Sequence, residues 1–522
     1  MKSSKISLIF YGIFCGVTIY FLIWGFGFIG SGDKTLFLVS VFLGIFMAFN
    51  IGGNDVANSF GTSVGSGTLS IAQALCIAAV FEASGAVIAG GEVTSTIRSG
   101  IIDLSKMDVH PRDFIYVMMS ALFAAGAWLL FASRKGLPVS TTHAIIGGIV
   151  GSGLTLGALL NTAETSALWL VQWDKIGKIA ISWVLSPILG GVISFGIFWL
   201  IKHYILDYNR YAQIKIDRIK REKKSLRKLH KKTFETLDDI QKIAYAEALN
   251  HDIYAMRDPD FDPSELDSEY YKKVIELDAK KEKLKSHKAL EYGIPAVAGI
   301  GAFVISAMLI FKGLHNLNFG LTNFYNYLII GMSTLITWLL MFIFAKTLRR
   351  SNLNKSAFLM FSWLQVLTAS GFAFSHGSND IANAVGPFAA ILDVLKTGSI
   401  NATAPVPGIA MVTFGISLVV GLWFLGKEVI TTIGSKLAEI LPTTGFSAEL
   451  AASTVILLAT KLGIPVSSTH ILIGAVLGIG ILNRDANWKM VKPIVLAWVI
   501  TLPIAAGSAA LIYMLLKTVL GL

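Results

Sequence analysis

GGNDVANSFGTSVGSG, residues 52–67, and HGSNDIANAVGPFAA, residues 376–390, are two versions of one pattern. Asn54, Asp55 and Asn58 align with Asn379, Asp380 and Asn383. A second pair of segments recurs in the same order and at nearly the same offset: GLPVSTTH, residues 136–143, and GIPVSSTH, residues 463–470. Two different motifs repeated in register mark an internal duplication. Each is polar, is interrupted by Gly or Pro and lies beside long apolar runs. That combination points to broken helices, or re-entrant hairpins, where two halves of a membrane transporter meet at a binding site.

The surrounding chain supports a membrane setting. Of its 522 residues 54% are hydrophobic and only 15% charged, too few charges to cover a water-soluble surface of that length. A hydrocarbon core about 30 Å thick needs roughly 20 apolar residues per helix, and the sequence has room for about ten to twelve such segments. Backbone groups in lipid must be satisfied internally, so the segments are expected to be helices. The short alternating strands of a transmembrane barrel are not visible. The stretch Ile6–Ile29 follows Lys2 and Lys5 and is too long for a signal-peptide core, so it is expected to be a retained helix. Cys15 and Cys76 lie in apolar runs and are expected to be small buried residues, with no disulfide or metal role.

Charge concentrates in one place. Residues 202–289 hold 21 of the 44 Lys/Arg and 17 of the 33 Asp/Glu, about half of all charge in under a fifth of the chain. This insert divides the sequence into a first transmembrane repeat, 1–201, and a second, 290–522. Its basic beginning, from Lys215 to Lys232, places it in the cytoplasm by the positive-inside rule. Ile219, Leu226, Leu229, Leu237, Ile240 and Ile243 recur at helical spacing, and DPDFDPSELDSE reads as a turn before a second helix near Tyr271–Leu284. A helical hairpin and a charged linker both fit. The basic run suits nucleic acid or anionic lipid, but its plainer role is to set topology and face solvent.

An aspartate at the centre of a membrane helix costs about 2.5 kcal/mol or more. Two in matched positions need a partner, and no Lys or Arg lies within the motifs. Asp55 and Asn58, like Asp380 and Asn383, are three residues apart and share one helix face. Carboxylate and amide oxygens converging from one face suit a hard cation. Asn54, Asp55, Asn58, Asn379, Asp380 and Asn383 are therefore the cation candidates, with helix capping as the competing role.

In PVS[TS]TH the proline suits the first turn of a helix. Ser140, Thr141 and Thr142, and their counterparts Ser467, Ser468 and Thr469, then place hydroxyls beside free N–H groups at the positive end of a helix dipole. Two such ends can clasp one tetrahedral oxyanion. Hydroxyl packing between helices is the alternative. His143 and His470 close the motifs as proton carriers, oxyanion donors or helix-orienting groups, and the residues alone do not choose among these. Glu82 lies in the apolar run FEASG without a counterpart in the second half, a candidate for an ion path or a gating contact. His376 and Gln365 lie near the second motif without an assigned role. No phosphate-binding GxxxxGK[ST], no zinc spacing and no nucleophile–base pair is present, so neither an enzyme nor an organic cofactor is expected.

With FEASGAVIAGGEVTSTIRSGIIDL, residues 81–104, added to the two motif pairs, the sequence resembles the inorganic phosphate transporter (PiT) family over both membrane halves. The resemblance implies phosphate as substrate, alternating access, a large cytoplasmic loop and an all-α fold of about twelve spans in two inverted halves. It also implies that Asp55, Asn58, Asp380, Asn383, Ser140, Thr141, Thr142, Ser467, Ser468 and Thr469 surround the transport site. NDVAN and NDIAN look like the sodium-coupled branch, so sodium is the expected coupling ion. Gly53 stands where the family motif often has alanine. The alternatives are proton-coupled symport of phosphate or a metal–phosphate complex, with Asp or His as proton carrier, and a sulfate permease of the same fold. The expected setting is the cell membrane, the inner membrane in a Gram-negative source. The expected partners are phosphate, sodium or a proton, and the lipid bilayer, without nucleic acid. A homodimer stays open.

Overall fold

The computed structural model describes residues 2–99, 101–102, 109–160, 167–258, 261–314, 322–349, 351–401 and 406–520. Among the described residues, 11 helices are long and apolar enough to cross a membrane. The β pairing among them is a single bridge between Ile102 and Val171. The chain is an all-α, multi-pass membrane protein. A further apolar helix, Ser468–Asn483, has only 16 residues because the Gly463–Pro465 break delays its start.

Two kinds of helix are present. Lys2–Ile29 and Asn323–Thr347 leave Ile19, Ile23, Leu335 and Leu339 exposed, as expected of helices that meet lipid tails. Pro111–Arg134 and Thr141–Leu159 bury most of their residues and pack on each other and on Trp488–Leu520. Cys15 and Cys76 are exposed, which corrects the expectation that they are buried. Both lie on faces turned outward, where an apolar thiol is as acceptable to lipid as to a protein core.

Both pairs of motifs interrupt helices. Lys34–Ile51 passes through a π-helical turn, Gly52–Val56, before continuing as Ala57–Gly65. Leu353–Asp380 and Ala382–Thr397 are separated at Ile381. Such irregular turns free backbone groups where a site is needed. At the second motif, Gly136 and Gly463 adopt positive φ of 65° and 64°, which a side chain resists. Leu137 N–H then bonds Ala132 O, and Ile464 N–H bonds Ala459 O, both at 3.0 Å, closing the preceding helices. A short extended linker follows, and Ser140 and Ser467 cap the next helices by accepting from the N–H groups of His143 and His470 at 3.2 Å.

Close helix crossings depend on absent side chains. A Cβ on Gly52 would lie 1.8 Å from Leu418 O, and one on Gly377 2.2 Å from Glu82 O. The second crossing brings the Glu82 helix against the His376 helix.

The chain divides into two compact units. One comprises Met1–Trp199, Gly299–Leu335 and Phe361–Leu522 and contains both motif pairs. The other comprises Leu200–Ala298 and Ile336–Met360. Within it the charged insert is helical, with three α-helices, Asp207–Thr236, Asp239–Ala255 and Glu269–Lys283, where the sequence suggests a two-helix hairpin or a linker. The extra break comes from Asp238, which caps a new helix in a reciprocal box with Gln241. The buried Asp252 carboxylate accepts from Asp267 N–H at 2.7 Å and from Ser268 N–H at 2.9 Å, and so ties down the polar turn. Burial opposes its ionisation, but these bonds and the Ser268 hydroxyl hold its pKa below the ordinary aspartate value.

Candidate functional site

The two broken helices and the two capped helix starts meet in one buried polar network. Asp55 sits in the π-helical turn, where its Oδ1 accepts from the Thr469 hydroxyl at 2.6 Å. The Thr141 backbone N–H, the first of its helix, also reaches the Asp55 carboxylate. Asp380 accepts from Ser468 Oγ at 2.6 Å, from Asn379 Nδ2 at 2.8 Å and from Asn383 Nδ2 at 3.4 Å. Thr142 Oγ1 donates to Val466 O at 3.1 Å and faces Asn383 Nδ2 at 3.4 Å. Hydroxyls of each half thus contact groups of the other.

His376 joins this network to Glu82. Its Nδ1 lies 2.9 Å from Glu82 Oε2, and its Nε2 lies 2.7 Å from Asp380 Oδ2 without the alignment of a hydrogen bond. Ser59 Oγ donates to the other Glu82 oxygen at 3.3 Å. The ligand atoms of Asp55, His376 and Asp380 all lie within 4.8 Å of one another. Two negative charges at that separation repel by about 3–4 kcal/mol at an effective dielectric of 20. Around them Asn379 Oδ1, Asn383 Oδ1 and Thr141 Oγ1 are buried and, among the described residues, meet no hydrogen-bond partner. Clustered carboxylates with unmatched oxygen acceptors are what a hard cation would satisfy.

The remaining candidates take more definite roles. Asn54 grips the linker of its own half. Its Nδ2 donates to Leu137 O at 3.0 Å and Ser133 Oγ at 3.1 Å, and its Oδ1 accepts from Val139 N–H at 3.0 Å. Asn379 does the same for the other half by donating to Val466 O at 2.9 Å. Ser140 and Ser467 each use a lone pair as a helix cap and keep a hydroxyl hydrogen to donate. The Asn58 side chain lies outside the described residues. His143 and His470 face each other at 4.6 Å between ring centroids, and each packs on a tryptophan at 3.8 Å, Trp183 and Trp498 respectively. Trp498 Nε1 also donates to Pro138 O at 3.1 Å, so this aromatic group holds the linker preceding Ser140.

Sequence reasoning passes over Glu449. Fully buried, it accepts from Thr62 and Ser63 at 2.6 Å, Thr368 at 2.7 Å and Gln365 at 3.1 Å. Gln365 in turn accepts from Ser66 and Thr68 at 2.7 Å, which gives that residue a place. A signal is present, since ELAASTVILLA, residues 449–459, embeds a carboxylate in an apolar run just as FEASG does.

Comparison with known proteins bears on the family of the chain. The sequence profile described as "Phosphate transporter family" matches residues 51–509. A protein of Mycobacterium bovis bearing the name phosphate permease is 57% identical over 499 residues, covering 95% of this chain and 90% of its own. The Arabidopsis thaliana "Inorganic phosphate transporter 2-1, chloroplastic" is 33% identical over 493 residues, covering 92% of this chain and 72% of its own. A solved structure described as "The sodium-dependent phosphate transporter" is 30% identical with a TM-score of 0.70, covering 93% of this chain and all of that one. The chain belongs to the phosphate transporter family.

Proposed function

We propose that this transporter imports inorganic phosphate by sodium symport through alternating access. The observation that carries the reading is the convergence of Asp55 and Asp380 with two hydroxyl-bearing helix starts. Left to itself, such a site repels an anion. Sodium held by Asp55, Asp380 and the unmatched oxygens of Asn379 and Asn383 would cancel that repulsion. Phosphate would then receive hydrogen bonds from Ser140, Thr141, Thr142, Ser467, Ser468 and Thr469 at the positive ends of their helices. Binding of each ligand therefore favours the other, which is the thermodynamic basis of coupled transport. A protonated phosphate oxygen can also donate to a carboxylate, a contact sulfate lacks at neutral pH. Similarity to a solved sodium-dependent phosphate transporter supports the choice of sodium.

One observation favours a second reading. Glu82, His376 and Asp380 line up as carboxylate, imidazole and carboxylate with contacts of 2.9 and 2.7 Å, an arrangement suited to carrying a proton. Uptake of labelled phosphate into proteoliposomes separates the two. Sodium coupling predicts accumulation under an imposed sodium gradient and little inhibition by sulfate. Accumulation under a pH gradient alone would reject sodium coupling and favour the proton route.

A further inference from the structure

The unit formed by Leu200–Ala298 and Ile336–Met360 contains a cavity of about 740 Å³ that the proposed transport cycle does not use. Lys281, Lys285, His287, Lys288 and Arg349 line it. Two of the carboxylates in its wall are already compensated, Asp278 by Lys223 and Glu291 by Arg349, each at 2.5 Å. Among the described residues no ion pair engages Lys281, Lys285 or Lys288, and Glu282 is the remaining carboxylate of the lining. The cavity thus faces three ammonium groups with one acid to offset them.

The backbone adds to this. Lys285 adopts a φ of +42°, a left-handed conformation that a lysine resists. The turn is held because Lys285 O accepts from the Tyr208 hydroxyl at 3.1 Å and from Lys288 N–H at 2.9 Å. Among the described residues, no backbone acceptor meets the N–H groups of Ser286 and His287, which precede the membrane span beginning at Ala289. His287 Nδ1 is buried and, among the described residues, has no hydrogen-bond partner. Burial, the largest influence on it, lowers the His287 pKa.

We propose that this cavity binds a phosphate monoester. Several ammonium groups and backbone N–H groups without a backbone acceptor, on residues lining one concavity, suit a compact dianion. The volume suits a headgroup-sized molecule rather than a bare ion. Lys288 adjoins the span Ala289–Phe311 and Arg349 follows the span Asn323–Thr347, which sets the site at the level of lipid headgroups. A phosphomonoester lipid and a soluble phosphate ester share the required chemistry.

The test uses the purified full chain and reads the ligand-induced shift in unfolding temperature. Glycerol 3-phosphate is the soluble probe, with glycerol as neutral control. Phosphatidylcholine vesicles with and without phosphatidic acid present the lipid form. A shift with glycerol 3-phosphate identifies a soluble ligand, and a shift with phosphatidic acid alone identifies a lipid. In either case the double variant Lys285→Gln/Lys288→Gln should bind about tenfold more weakly, while Lys285→Arg/Lys288→Arg retains binding. Should the glutamine pair fail to fold, Lys281→Gln repeats the comparison. No shift with either probe, or equal shifts in wild type and the glutamine variants, overturns the site.

Discussion

At the scale of single residues, Asp55 and Asp380 look equivalent in sequence but are held differently. Asp55 takes a hydroxyl from Thr469 in the other half, whereas Asp380 takes one from Ser468 in its own half, together with the Asn379 and Asn383 amides. Replacing either carboxylate with an amide keeps the shape and removes the charge. Asp55→Asn and Asp380→Asn should each weaken the response to sodium by roughly ten- to hundredfold, the value of about 1.5–3 kcal/mol for an interaction with a charged group. Membrane levels should hold. Sodium titrations of phosphate uptake measure this, and wild-type sodium dependence in both variants would remove them from the proposed cation site. The residue types were legible because an intramembrane carboxylate is costly and rare. Asn54 was legible only as a polar group of the motif. Its grip on Ser133, Leu137 and Val139 depends on a helix distant in sequence.

At the scale of elements, glycines decide which helices can touch. The contact of Gly377 with the Glu82 backbone leaves no room for a methyl group, since a Cβ there would lie 2.2 Å from Glu82 O. Gly377→Ala should cost about 1–3 kcal/mol by forcing the helices apart and should disturb the Glu82–His376 contact. Thermal unfolding in detergent, read beside transport activity, checks both effects, and unchanged stability would contradict the crossing. In the insert, Asp252 anchors the turn between two helices. Its folded pKa lies below the unfolded value, so the stability it supplies is present above the ordinary aspartate pKa of about 3.9 and is lost as pH falls through the lower folded pKa. Asp252→Asn should remove that acid-dependent part. An acid titration followed by circular dichroism should then show a shallower loss of helical signal in the variant than in wild type, and identical curves would deny Asp252 this role. The helix breaks at Gly136 and Gly463 were readable from Gly and Pro. The break at Asp238 was not, because apolar spacing runs through it from Leu237 to Ile243 and masks the Asp238–Gln241 box.

At the scale of the whole molecule, the proposed coupling has a thermodynamic consequence. Raising sodium should lower the apparent KM for phosphate, and phosphate should tighten sodium binding by the same factor by which sodium tightens phosphate binding. Paired titrations by calorimetry test this reciprocity, and independence of the two affinities would dismiss a shared site. The membrane setting, the two pairs of similar motifs and the residue types they carry were determined by the sequence itself, since composition, motif order and Gly/Pro breaks are properties of short stretches of chain. The tertiary structure alone decided which groups meet. Thr469 reaches Asp55 across 414 positions and Asn383 reaches Thr142 across 241, so neither pairing follows from any local pattern. The polar setting of Glu449 and the packing of His143 and His470 on Trp183 and Trp498 have the same origin. Such contacts are fixed by how far each helix turns and how closely the glycines let its neighbours approach.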